Sequence, residues 1–373
     1  MSHWKETAEI LSHFPALAAT KNRAALATVV RIAGSAYRRP GAKLLVFSSG
    51  DTLGSVSGGC LEADVREVAK AVMESSRPWL RHYNAGDDDD VISSLGLGCN
   101  GQVDILVQPT NAGALASLHK PLARLLAEDS PLAIATVVTD GADIGATMAI
   151  GFGDGQTTWR RFGSLGSADL DNQAVSRAAA RLADGHSGLE HAAGRQVFIE
   201  VLRPPPHLLV CGAGADAIPL VAYAADAGFR VHLLDHRQGL LQPALFPQAY
   251  RMAVARPEEP EAITLPPAAR TLAVVKTHSL AHDRDWVGRL LEWGGPYIGV
   301  LGPRERTERI LEDIGAEVTV PGSQGRVFGP VGLDIGADGP QQVAISIVAE
   351  MLAFISEREP KHLRQREQAI HAD

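Results

Sequence analysis

Cysteine is scarce in this chain of 373 residues: the three present, an odd number spread over a long sequence, favour a reducing compartment over a disulfide framework. Positive charge is in deficit, 35 Lys and Arg against 43 Asp and Glu, for a formal net charge of -8. No stretch interleaves basic with aromatic residues. Both facts argue against a broad footprint for nucleic acid or an anionic membrane, which need clustered cation. No apolar run approaches membrane-spanning length. The opening MSHWKETAEILSHF lacks the basic start, apolar stretch and small-residue cleavage site of a secretory leader, so a cytoplasmic protein is expected.

What is present is 45% hydrophobic residues over a length that supports two separate cores, and an internal repeat. Residues 25–30, ALATVV, recur as AIATVV at 133–138, an offset of 108. LGSV at 53–56 recurs as FGSL at 162–165, an offset of 109, and QVDILV at 102–107 recurs as QVFIEV at 196–201, an offset of 94. Between these anchors only the first copy carries GSAYRRPG (34–41) and SGGCLE (57–62). Function is expected in the half that kept the unusual side chains.

Arg203 is followed by three prolines, which lack amide donors and hold the chain extended. They divide residues 1–203 from 204–356, and the polar, charged segment 357–373 reads as a frayed tail. Before the boundary, β-rich runs at 26–32, 43–47, 103–108, 132–138 and 196–202 alternate with helical patterns at 61–74, 114–127 and 171–183, predicting an α+β domain of two related halves. After it, apolar strands at 207–211, 230–234, 272–276 and 297–301 alternate with helices, predicting an α/β, Rossmann-like parallel sheet covered on both faces.

Gly212, Gly214 and Ala217 fit the G-x-G-x-x-G/A turn between a strand and a helix, and Asp235, 23 residues after Gly212, is placed to accept from a ribose. Against nucleotide binding stands Asp216, whose charge in the first helical turn repels a phosphate; a turn that only packs is the alternative. Cys211 reads as a small buried hydrophobe. His278 is expected at the carboxyl edge of the sheet, and the nearby His282, Asp283 and Asp285 are either metal ligands or helix-capping acids. Arg304 is either a phosphate clamp or a partner in ordinary salt bridges.

In the first domain Cys60 follows Gly58 and Gly59 and precedes Leu61 and Glu62 at a helix start, where free amides and the positive helix end favour a thiolate. It is a candidate for sulfur chemistry or soft-metal contact, with a packed thiol as the alternative. Cys99 sits in a similar glycine-rich setting. Neither has a CxxC partner or a close histidine, so no zinc site is assembled. Arg38, Arg39 and Lys43 gather around Pro40 and Gly41, either as guanidinium forks for a phosphate or an oxygen-rich heterocycle, or as bases on a solvated hairpin. Asp87 to Asp90 read as a helix cap.

The stretches TVVRIAGSAYRRPGAKLLV, GSVSGGCLEADV, GLGCNG, GAGADA with LLDHR, VVKTH, YIGVLGPRER and LDIGADGPQQVAISIVAEM, in this order, resemble the xanthine dehydrogenase accessory factors, the XdhC/CoxI family. The resemblance implies a maturation chaperone that binds molybdenum cofactor, as molybdopterin or its cytosine dinucleotide form. It also implies support for cofactor sulfuration with a cysteine desulfurase and delivery to an apo-molybdenum hydroxylase. It carries the family's Gly-Gly-Cys motif onto Gly58, Gly59 and Cys60, its second cysteine motif onto Cys99 and its glycine turn onto Gly212 and Gly214; together with the residues read above, cofactor contact is expected at Arg38, Arg39, Lys43, Gly58, Gly59, Cys60, Glu62 and Cys99, with Cys60 as the candidate molybdenum contact. A nucleotide, NAD(P) among the options, falls at Gly212, Gly214, Ala217, Asp235, His278 and Arg304. Asn100, Tyr37 and Asp216 depart from the family pattern. The competing function is an NAD(P)-dependent oxidoreductase using Asp235 and His278; methyl transfer from S-adenosylmethionine is a more distant third. A homodimer is the default assembly.

Overall fold

The two halves legible in the sequence are two copies of one sheet. The structure, a computed structural model, describes residues 2–19, 23–34, 38–84, 102–111, 113–152, 159–259, 265–315 and 325–366. The chain forms two units, Met1–Pro204 and Pro205–Asp373. In the first, α1 (Ser2–Ser12) and α2 (Phe14–Ala19) precede β1 (Ala24–Ala33), β2 (Lys43–Phe47), β3 (Thr52–Gly54), α3 (Glu62–Ser75), β4 (Trp79–Asn84) and β5 (Gln102–Pro109). After α4 (Gly113–Ala127) the pattern returns as β6 (Leu132–Val137), β7 (Thr147–Phe152), β8 (Trp159–Gly163), α5 (Ala168–Asp184), β9 (Gly188–Ala192) and β10 (Arg195–Leu202). The antiparallel sheets run β3-β2-β1-β5-β4 and β8-β7-β6-β10-β9, the same order twice.

The copies agree in backbone detail. Gly54 and Gly163 both have positive φ, 88° and 86°, and a Cβ on either would lie 2.4 Å from the Lys43 carbonyl oxygen or 2.5 Å from that of Thr147. Only glycine fits so close an approach. The fall in offset from 109 to 94 has a place too: residues 85–101 join β4 to β5, whereas Ala193 and Gly194 alone join β9 to β10. Each sheet buries one face under its helix. Val65, Val68, Ala69, Val72 and Met73 of α3 recur at helical spacing and pack on β1 and β5, and Leu170, Ala174, Ala178 and Leu182 of α5 do the same for the second sheet. The opposite faces share a core with α1, α2 and α4, through Trp4, Ile10, Phe14, Leu118 and Leu122.

The second unit holds β11 (His207–Cys211), α6 (Ala217–Asp226), β12 (Arg230–Asp235), β13 (Arg251–Val254), β14 (Thr271–Val275), α7 (Leu280–Trp293), β15 (Tyr297–Val300), α8 (Arg304–Asp313), β16 (Val327–Phe328) and α9 (Pro340–Ile355). Its sheet runs β13-β12-β11-β14-β15-β16 with every pairing parallel. This is the 3-2-1-4-5-6 order of a dinucleotide-binding Rossmann sheet, whose ligand crevice opens where the order reverses. Here that is between the carboxyl ends of β11 and β14. Strands β11 and β14 are buried throughout, which is why they read as unbroken apolar runs. In the expected tail, Leu363–Gln365 forms one short 3-10 turn among mostly exposed neighbours.

Candidate functional site

In the first unit the loop before α3 is built by serine and glutamate. Ser57 Oγ accepts from the amides of Gly59 (3.2 Å) and Leu61 (3.0 Å), closing a turn over Gly58, Gly59 and Cys60. Glu62 folds back under it: Oε1 accepts from the Ser57 amide at 2.9 Å and from Ser55 Oγ at 2.8 Å, and Oε2 accepts from Ser57 Oγ. Burial raises the Glu62 pKa, but these hydrogen bonds outweigh it and hold the carboxyl below its usual range. An ionised Glu62 in the first turn also suits the helix dipole. It thus supports the loop from beneath and has both oxygens engaged.

The second copy shows what the extra glycines change. There Ser167 is a plain N-cap, accepting from Leu170 N at 3.2 Å, and Asp171 accepts from Leu165 N at 2.7 Å. In the first copy the turn is one residue wider, Gly58 and Gly59 are exposed, and Cys60 is partly exposed. Gly59 has φ 113°, and a Cβ there would meet nothing within 4 Å. The loop is rigid below and open above.

The expected basic cluster divides. Lys43 is only 4% exposed and does not share a surface with the arginines; it donates to Gly41 O at 3.0 Å and forms an ion pair with Glu200 of β10, binding one half to the other. That pairing removes Lys43 from the ligand set. Arg38 donates to Glu6 of α1 at 2.6 Å, and its Nε finds no acceptor among the described residues. Arg39 is exposed. Cys99, Asp87 to Asp90, Tyr37 and Asn100 lie outside the described residues.

In the second unit Gly212 makes the turn as expected. Its φ is 123°, its amide donates to Leu234 O at 2.8 Å, and a Cβ would lie 2.4 Å from Lys276 O. Ala217 is fully buried against the sheet and contributes packing only. Among the described residues the amides of Gly214, Ala215 and Asp216 have no acceptor, which leaves an anion-binding turn at the start of α6. Asp216 Oδ1 lies beside Gly214, where an added Cβ would come within 2.7 Å of it, and Oδ2 is 2.8 Å from Lys276 Nζ and 3.0 Å from His278 Nε2. Burial raises the Asp216 pKa, but the hydrogen bond and charge of Lys276, with His278 behind them, hold the carboxyl below its usual range. The repulsion expected of Asp216 is therefore largely cancelled by Lys276, a residue legible in the sequence only as the end of an apolar strand.

Asp235 stands at the strand end as expected, but both oxygens are taken. Oδ2 accepts from Ala213 N at 2.7 Å and Arg237 Nη2 at 2.9 Å; Oδ1 accepts from Arg237 N at 2.8 Å and Nε at 3.0 Å. Burial works against the charged form, yet the bonds from Arg237 and Ala213 bring the pKa down to about 2. Asp235 holds the glycine turn and has no oxygen to offer a ribose. Asp283, 1% exposed, accepts from Thr277 N (3.0 Å) and Oγ1 (2.6 Å) and pairs with Arg306 at 2.6 Å, fixing the loop that carries His278. Arg306, not Arg304, makes that contact; Arg304 is exposed at the start of α8. His282 packs its ring on His236 at 4.5 Å, and Asp285 pairs with Arg284. Cys211 is fully buried, and burial pushes its thiol far up.

Two sheets of one design followed by a Rossmann sheet match known families along the chain. A family model described as "XdhC and CoxI family" matches residues 17–84, and one described as "XdhC Rossmann domain" matches residues 208–351. The chain belongs to the XdhC and CoxI family. A Bacillus subtilis protein named as a probable xanthine dehydrogenase subunit is 32% identical over 339 residues, covering 90% of this chain and 94% of that one. An Escherichia coli protein, "Uncharacterized protein YqeB", is 28% identical over 165 residues, 44% of this chain and 30% of its own length. A crystal structure described as that of a xanthine dehydrogenase from Bacillus halodurans superposes with a TM-score of 0.75 at 28% identity, covering 94% of this chain and 96% of that one. No helix among the described residues is long and apolar enough to cross a membrane.

Proposed function

We propose that this XdhC-family protein serves a molybdenum hydroxylase of the xanthine dehydrogenase kind as an accessory factor, binding molybdenum cofactor and passing it to the apo-enzyme. Its family and the xanthine dehydrogenase names carried by two relatives support the accessory role. The observation that carries the cofactor reading is the Gly-Gly-Cys loop: a partly exposed sulfur beside Gly59, where an added Cβ would meet no atom within 4 Å, held by the Ser57–Glu62 bonds. A soft sulfur suits a molybdenum centre, and guanidinium groups such as those of Arg38 and Arg39 suit a phosphate. The cofactor, when bound, supplies the metal chemistry; the chain binds and shields it. Cys60 touches the metal side, and Glu62 positions the loop without contacting the ligand. A cysteine desulfurase is the proposed sulfur source, and a homodimer the proposed assembly.

Purified protein mixed with molybdenum cofactor should carry it through gel filtration. Cys60→Ser should lower retention or sulfuration with an unchanged circular dichroism spectrum. Equal retention and equal activation of apo-hydroxylase by that variant would remove Cys60 from the mechanism.

A further inference from the structure

The two faces of the Rossmann sheet carry helices of opposite character. Leu208 and Val210 of β11 join one core with Leu220 and Ala224 of α6 and Ile347 and Met351 of α9. The alternate residues, Leu209 and Cys211, join another with Val287 and Leu290 of α7 and Ile310 of α8. On that second side the outer surface is charged: α7 carries Asp283, Arg284, Asp285, Arg289 and Glu292, and α8, RERTERILED, is charged at most positions. On the first side charge is almost absent. In α6, AIPLVAYAAD, only Asp226 at the last position is charged. In α9, PQQVAISIVAEMLAFI, only Glu350 is, and its carboxylate is engaged, accepting from Tyr297 Oη and from Gly332 N at 3.0 Å. Helices apolar on every side belong in an interior. Yet here the outer sides are open: Tyr223 is 36% exposed and Ile345 51% exposed. Pro219 and Ala222 of α6, and Ala349, Leu352 and Ala353 of α9, follow them at helical spacing and are partly exposed.

We infer that the outer side of α6 and α9 is the surface on which a second copy of this chain docks about a two-fold axis. The inference rests on the homodimer proposed above and names the face that forms it. Three properties favour a second copy over another protein. An isologous contact sets a surface against itself, so a charge on it would meet its own kind; the outer side from Pro219 to Tyr223 and from Ile345 to Ala353 presents none. A partner that docks and leaves needs a surface that tolerates water, and such interfaces are no more apolar than the rest of a protein, whereas homodimer interfaces are. An apo-hydroxylase is a visitor of that kind, but a second copy is present whenever the chain is. Shape agrees: the large Ile345 and Tyr223 stand among the small Ala222, Ala349 and Ala353. With the axis beside Ala349 and the two α9 helices antiparallel, Ile345 of one protomer meets Ala353 of the partner subunit, large on small, and the helices can approach closely.

Light scattering on the full chain at micromolar concentration tests this. The wild type should show twice the chain mass of 39.5 kDa. Ile345→Glu and, separately, Tyr223→Lys place an unpaired charge in the contact and should each return the mass to that of one chain. Circular dichroism should be unchanged, because both side chains are exposed in the single chain. Arg309→Glu, at an exposed position of α8, should leave the dimer intact. Tyr223→Lys decides the matter alone if Ile345→Glu fails to fold. A monomeric wild type would overturn both this face and the homodimer. A wild-type dimer that survives in both folded variants would overturn the face and leave the homodimer standing. Dissociation by Arg309→Glu as well would also overturn it, since net charge and not this surface would then govern assembly.

Discussion

Gly59 and Gly212 share a backbone that side chains rarely adopt, φ 113° and 123°, but differ in what surrounds them. At Gly59 an added Cβ finds no atom within 4 Å; at Gly212 it finds the Lys276 carbonyl at 2.4 Å, and backbone cannot step aside cheaply. Gly59→Ala should therefore cost only the dihedral strain, about 1 kcal/mol, whereas Gly212→Ala should cost more than about 2 kcal/mol by adding a clash between β11 and β14. Urea unfolding of the two variants measures both, and equal midpoints would refute the distinction. The same contrast shows how far single residues could be read. The glycine turn was legible because its pattern encodes backbone geometry. The role of Asp235 was not, because only the fold shows Ala213 and Arg237 closing over its oxygens. Lys276 was missed for a related reason: a cation buried by neighbours distant in sequence leaves no local signal.

At the scale of elements, the repeated anchors were enough to announce two related halves, and the sheets follow them strand for strand. Long, strongly patterned elements were legible: the expected helices at 61–74 and 114–127 correspond to Glu62–Ser75 and Gly113–Ala127. The short edge strands β3, β8 and β13 gave too few residues for a period, and α1 and α2 carry a mixed pattern because they cover a surface made by both halves. What unites the halves is partly electrostatic. Lys43 and Glu200, 4% and 3% exposed, pair across the two sheets beside a small cavity also lined by Thr28, Thr136 and Thr147. Lys43→Met leaves a buried carboxylate without a counter-ion and should cost roughly 3–5 kcal/mol, while adding Glu200→Leu should recover most of that loss. A double variant as unstable as the single one would show that the pair's packing, and not its charge balance, joins the halves.

For the whole molecule, acid is the condition that acts on both units at once. In the first unit burial, with Lys43 next and Arg38 and Arg39 behind it, holds His3 down at about 3, while burial raises the Glu6 pKa against the pull of Arg38; their effects on acid stability oppose each other. The second unit gives a cleaner response. His232 bonds to His207 at 2.8 Å, and burial, followed by the charges of His207, Arg251 and Arg230, lowers its pKa to about 4. The unfolded chain takes up this proton near 6.5 and the folded chain only near 4, so folding requires neutral His232. Stability on this account is level above pH 6.5, declines as pH falls from 6.5 to about 4, and declines no further below it. Asp235, held at about 2, loses its contribution only as pH falls below 3.8, so the two windows barely meet. Urea midpoints of the full chain between about pH 8 and pH 4 should fall for the wild type and fall less steeply for His232→Gln, the curves converging toward about pH 4. Parallel curves across that range would mean that the buried imidazole is not what the second unit loses to acid.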